Sequence, residues 1–153
     1  MSSILDKIKE LNITLPAAPA PVGAYVAFKK SNNLLFISGQ LPIDKDGIMI
    51  KGKIGKDLTL EDGQKASKLC VINILAQAKK AMNDDLNKIK SCIKITGFVN
   101  SSDNFIDQPK VINPASETLS NIFGEKGKHA RAAVSTNSLP LGAAVEIDAI
   151  FEI

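Results

Sequence analysis

A chain of 153 residues with 44% hydrophobic and 23% charged side chains has the composition of an ordinary globular domain, long enough to bury a core without staples. Its net charge of +3 is small and spread along the chain, aromatics make up only 5% and Trp is absent, so nucleic acid is an unexpected partner. No apolar run reaches the length of a membrane span, and neither Cys70, Cys92 nor the lone His129 has metal-ligand spacing, so neither membrane nor metal is expected.

The N-terminus lacks the basic-then-apolar pattern of a signal peptide, and two buried thiols point to a reducing cytoplasm. From Ser3 to Asn12, Ile4, Leu5, Ile8 and Leu11 fall at helical spacing, with Ser3 and Asp6 as a capping start. Pro16, Pro19 and Pro21 then exclude regular helix and predict an extended connector. The segment before them is too short to fold alone, so residues 1–21 read as the helix and arm of a single domain spanning 1–153.

Gly23 to Phe28 reads as a strand, and Asn32-Asn33 as a tight turn. Leu34 to Ile37 is a continuous apolar run, typical of a strand covered on both faces. It stops at Ser38-Gly39-Gln40, where a small hydroxyl and a glycine can expose backbone N–H groups to a ligand; a bulge or strand end is the plainer reading. Ile48 to Ile50 reads as a short edge strand. Thr59 caps a long helix whose stripe is Val71, Leu75, Ala78 and Met82, ending at Asn83-Asp84-Asp85. Ile89 to Val99 is a strand with a bulge expected at Gly97. A second helix runs from Pro109 or Asn113 to Phe123, closed by Gly124; if Pro114 is its first residue, Asn113 is the N-cap.

Lys128 to Glu146 then predicts a hairpin: two strands flanking Leu139-Pro140-Leu141-Gly142. Alternation puts Ala130, Ala132 and Val134 on the apolar face, and His129, Arg131, Ala133 and Ser135 on the other. In the last strand Val145, Ile147, Ala149, Phe151 and Ile153 oppose Glu146, Asp148, Ile150 and Glu152, so Arg131 and Glu146 are expected on one uncovered face. A guanidinium and a carboxylate there can form the binding half and the chemical half of a small-acid site; a weak surface pair is the plainer reading. An unbulged register sets Arg131 opposite Ile150, offset from Glu146 by four residues or roughly 13 Å, so a neighbouring subunit is expected to bring its own Glu146 to Arg131. The order β-β-(β)-α-β-α-β-β predicts an α+β fold: a mostly antiparallel mixed sheet with two helices on one face and a free face that needs a partner.

Ala130-Arg131-Ala132-Ala133-Val134, Leu139-Pro140-Leu141-Gly142-Ala143 and Val145-Glu146-Ile147 resemble the C-terminal signature of the RidA (YjgF/L-PSP) family. Leu35 to Pro42 and Gly23-Ala24-Tyr25 resemble its earlier motifs, and the ordered set covers nearly all of the chain after Pro16. The resemblance implies a chorismate-mutase-like fold, a homotrimer with a β-barrel core and clefts between subunits, and hydrolytic deamination of 2-aminoacrylate-type enamines and imines to 2-keto acids and ammonia, without a cofactor. Carried over by motif, Arg131 grips the substrate carboxylate and Glu146 moves a proton. Ser38 and Gly39 fix the substrate through backbone groups, and Tyr25 and Asn113 close the pocket. For Asn113 the cap and the ligand-facing role stay open. Ala133 lines the site where the best-known branch often has Cys, so no thiol acts there. The N-terminal arm is longer than usual, as in a less characterised branch. A non-catalytic carboxylate-binding regulator, an RNA-directed activity and a chorismate-mutase-type enzyme are the alternatives.

Overall fold

The computed structural model describes residues 2–153. Its helices start where the sequence supplies caps. Ser3 and Asp6 close a capping box on α1 (Ile4–Glu10), and Thr59 and Asp62 close another on α2 (Leu60–Ala81). Both acids also sit in a first turn, where the helix dipole favours them, and their cap hydrogen bonds hold both carboxyls below the usual range. α3 (Gln108–Phe123) starts at Asp107, nearer the earlier of the two expected starts, and continues through Pro114. Asn113 is therefore not an N-cap but lies inside the helix. Pro114 can donate no hydrogen bond to the Lys110 carbonyl, and Gln64 Nε2 on α2 donates to that oxygen instead, at 3.0 Å.

Five strands form one sheet in the order β1-β2-β5-β3-β4: β1 (Phe28–Ser31), β2 (Leu34–Gln40), β3 (Ser91–Asn100), β4 (Ala130–Thr136) and β5 (Val145–Glu152). All neighbours are antiparallel except β3 and β4. The mixed, mostly antiparallel α+β sheet is as expected, but four local expectations are corrected. The first strand begins at Phe28 rather than Gly23, and Tyr25 lies in irregular chain before it. Residues 48–50 make only a bridge between Ile43 and Met49, not a strand. The bulge in β3 falls between Cys92 and Lys94, while Gly97 pairs regularly and is needed because a Cβ there would sit 2.6 Å from Ile112.

The fourth correction is the largest. β4 and β5 are not a hairpin: β3 lies between them. β3–α3–β4 is a parallel crossover, which leaves β4 at the sheet edge and sends the chain back to the centre as β5. The Leu139–Gly142 turn, with Leu141 at φ 59°, is steered by other loops. Lys53 Nζ donates to the Asn137 carbonyl, Gly52 N–H to Gly142 at 3.0 Å, and Asn100 N–H to Ala144 at 2.9 Å. Burial explains the choice. β5 alternates buried and half-buried along its whole length and needs neighbours on both edges, whereas the Ala-rich β4 is mostly exposed.

One sheet face packs under α2 and α3 in a continuous core that includes Leu35, Ile37, Ile74, Leu75, Ile95, Ile112, Leu119, Ile147 and Phe151. Cys70 and Cys92 are buried free thiols within it, and burial raises both, Cys92 to about 12. The other face is open. It exposes Phe36, Ile93 and Val134, with Phe98, Ile150 and Glu146 between them.

Candidate functional site

Register decides which face each charged side chain takes. Arg131 pairs with Ile95, Ile95 with Ala149, and Ala149 with Ile37, a row that is otherwise buried under the helices. Glu146 pairs with Phe98, and Phe98 with Val134, a row on the open face. Arg131 and Glu146 are thus on opposite faces, not on one, because the expectation counted Arg131 on the wrong side of β4. Two strand spacings and three residues separate their Cα atoms, about 14 Å. They line different concavities.

The first concavity is a groove of about 250 Å³ that brings together Tyr25, Gly39 and Glu146. The β2 ladder breaks between Ile37 and Gln40, so that Gly39 passes directly over the Glu146 side chain. Only glycine fits: a Cβ there would lie 2.1 Å from Glu146 Oε1. No hydrogen bond or ion pair to Glu146 forms among the described residues. Burial raises its carboxyl above the ordinary value, and the neighbouring Asp148 charge adds to the rise. Tyr25 is half-exposed at the rim, its hydroxyl accepting from the Val22 N–H at 3.3 Å.

Ser38 does not line the groove. Its hydroxyl donates to the Val26 carbonyl at 2.7 Å and its N–H to Ala27 at 2.9 Å, so its polar groups hold the chain beside Tyr25. Ala133 lines neither concavity; it points towards the helices and packs against the core.

The second concavity, about 350 Å³ and shallow, brings Arg131 and Asn113 together with Ser116, Ser120, Lys128 and His129. Arg131 NH1 donates to Asn113 Oδ1 at 3.0 Å and to Ser116 Oγ at 3.3 Å. The His129 ring is oriented at both nitrogens. Nδ1 lies 2.6 Å from the Gly127 carbonyl and must donate to it, so in the neutral ring Nε2 accepts from Ser116, 2.8 Å away. The chain Arg131–Ser116–His129–Gly127 then runs in one donor direction. Arg131 forms no ion pair among the described residues, whereas Lys128 pairs with Glu125 at 2.7 Å. The guanidinium is held in place by neutral groups with its charge uncancelled, and its remaining N–H groups can take a carboxylate.

Sequence reasoning missed Ser116 and the apolar residues of the first groove. Ser116 lies three residues after Asn113, on the same helical face, but the expected cap at Asn113 hid that spacing. No cluster of three His, Cys, Asp or Glu able to hold a metal occurs among the described residues, and no helix there is long and apolar enough to cross a membrane.

Residues 6–152 match the family described as "YjgF/chorismate_mutase-like, putative endoribonuclease". The chain is similar to Protein TCP17 of Trypanosoma cruzi, at 42% identity over 98% of this chain and 94% of that protein. It belongs to the YjgF/RidA family. It is also 34% identical to a RutC family protein of Pyrococcus horikoshii, over 87% of this chain and 90% of that one. The crystal structure of protein Atu1372 from Agrobacterium tumefaciens superposes with a TM-score of 0.90 at 49% identity, over 98% of this chain and 93% of that one. The YjgF/RidA match begins at residue 6, so α1 and the Pro-rich arm fall almost entirely within the family's span.

Proposed function

We propose that this protein hydrolyses small 2-imino acids, and the enamines that equilibrate with them, to 2-keto acids and ammonia. Family membership supports that class of chemistry. The single observation that carries the reading is the pair of charges that form no ion pair among the described residues, Arg131 in one concavity and Glu146 in the other, each with half of what the reaction needs. Two half-sites on opposite faces about 14 Å apart cannot hold one small ligand in one chain. In a homotrimer built on the open face, with its sheets forming the central barrel, the Arg131 half of one subunit meets the Glu146 half of the next. The exposed Phe36, Ile93 and Val134 on that face support such an assembly.

In this site the substrate carboxylate binds Arg131. Water adds to the C2 carbon of the imine, giving a carbinolamine. Glu146 takes a proton from that water and gives it to nitrogen, then carries the carbinolamine hydroxyl proton to the same nitrogen, so that the C–N bond breaks, ammonia leaves and the C2 carbonyl forms. For an enamine, the protonated Glu146 first delivers a proton to C3. A raised carboxyl pKa suits both steps, because the group then exchanges protons nearer neutrality. No cofactor is required, since the imine is already electrophilic and positioning supplies the rest. We also propose a cytoplasmic location, which the two free, buried thiols Cys70 and Cys92 support.

An amino-acid oxidase coupled to the protein tests this. Imines generated from several amino acids should give 2-keto acid faster with wild type than with Arg131→Ala. Equal release in both removes Arg131 from the mechanism. A non-catalytic binder of 2-keto acids would bind through Arg131 yet release 2-keto acid no faster than the oxidase mixture without it.

A further inference from the structure

The groove beside Glu146 has walls whose chemistry selects what can lie in it. On one side runs the arm, Pro19 to Val22. Pro19 and Pro21 have no N–H to offer, the Pro19 carbonyl accepts from buried Gln77 Nε2 at 2.7 Å, and the Val22 N–H is spent on Tyr25. On the other side are Leu41 and Ile43. Asn73 Nδ2 on α2 donates to both of their carbonyls, at 3.0 and 2.9 Å, turning the backbone polarity of this wall into the protein. Gln40 is likewise occupied, its amide donating to the Ser38 carbonyl at 2.9 Å. Among the described residues, Glu146 is the only charged one that lines the groove.

From these contacts we infer that the groove is the side-chain subsite of the substrate, and that the protein acts on 2-imino acids with a branched-aliphatic or aromatic side chain. The inference rests on the proposed hydrolysis for the identity of the head group. The reacting carbon sits at Glu146, and the side chain runs between the arm and Leu41–Ile43. A volume of about 250 Å³ exceeds the roughly 150 Å³ that holds a benzene ring in a protein cavity, so a leucine- or phenylalanine-sized group fits. A polar or charged side chain finds the Pro19, Leu41 and Ile43 carbonyls of the walls already taken by Gln77 and Asn73. The arm is what makes the subsite: without Pro19–Val22 the groove loses one wall.

The test compares imines derived from alanine, leucine, phenylalanine and glutamate in the oxidase-coupled assay, with the intact protein. The expected order of kcat/KM places leucine and phenylalanine about 10- to 100-fold above alanine, with glutamate lowest. Val22→Asp, at a position 70% exposed and so tolerant of charge, should cut the leucine-to-alanine ratio at least tenfold. A flat series, or an unchanged ratio in Val22→Asp, overturns the inference. Calorimetric binding of the 2-keto acids separates this from failure of the hydrolytic reading. If no imine is turned over but 4-methyl-2-oxopentanoate binds about tenfold tighter than pyruvate, and Val22→Asp erases the difference, the subsite stands and hydrolysis falls. Equal binding of the two acids, or binding of neither, overturns the subsite.

Discussion

The two concavities handle charge in opposite ways. At Arg131 a cation is held by neutral partners in a shallow, polar depression, so its position is fixed while its charge is left over. At Glu146 a carboxyl is left without partners in an apolar groove, so its proton affinity is raised. The first arrangement suits binding and the second suits proton transfer. Holding them on opposite faces keeps the two from neutralising each other within one chain, where an Arg131–Glu146 ion pair would quench both properties.

Mutations should separate the two regions. Glu146→Gln is the largest expected effect: kcat falls by about 10²- to 10⁴-fold, the usual share of general acid–base catalysis, while 2-keto acid binding persists in calorimetry. Binding lost in parallel would make Glu146 a binding residue and erase the contrast. Arg131→Ala should act mainly on KM, raising it about 10- to 100-fold, the share of a charge-assisted contact. Gly39→Ala tests the close approach over Glu146. The added Cβ must push the carboxyl aside, and kcat should fall about tenfold without a matching loss of thermal stability. His129→Ala removes the end of the Ser116 relay and should raise KM a few-fold, with His129→Gln partly restoring it by presenting an acceptor to Ser116. His129 is the only histidine, so its ring resonances report directly whether a 2-keto acid reaches this depression.

The smallest effect concerns pH. Folding raises the Glu146 pKa above its unfolded value, so the fold favours the protonated carboxyl. That contribution is fully present below the unfolded value and is lost as pH rises through the folded value; at neutral pH the ionised Glu146 is a cost. Because the side chain is only half-buried, solvent screens most of it, and Glu146→Gln should raise the melting temperature at pH 7 by about 1–2 °C and by less at pH 4. A rise that is larger at pH 4 would contradict the assigned cause.

Much of the fold was legible because local signals were strong: the Ser3–Asp6 capping start, the Thr59 cap, the α2 stripe and the even alternation of β5 each survive in the structure. The pairing of β4 was not legible. A Pro/Gly turn between two strands reads as a hairpin, and nothing local reports that Asn100, Lys53 and Gly52 hold that turn from elsewhere. Alternation correctly grouped His129 with Arg131, and Glu146 with Asp148. It could not say which face of an Ala-rich edge strand meets the helices, since Ala130 to Ala133 carry too little apolar contrast. The expected separation of Arg131 from Glu146 is matched, but by a route through β3 that the sequence pattern does not encode. Asn113 was visible as a residue with two roles, and the continuity of α3 through Pro114 selects contact with Arg131 over the cap.

The proposed hydrolysis requires that each working site draw Arg131 and Glu146 from different subunits. Co-expressed Arg131→Ala and Glu146→Gln chains test it directly. Random assembly into trimers should leave about a quarter of the sites with both residues intact, and so restore about a quarter of wild-type kcat/KM, read at substrate concentrations well below KM, where both parents turn over only a few per cent as fast as wild type. Mixed assemblies no more active than the parents would show that the two residues do not share a site across an interface.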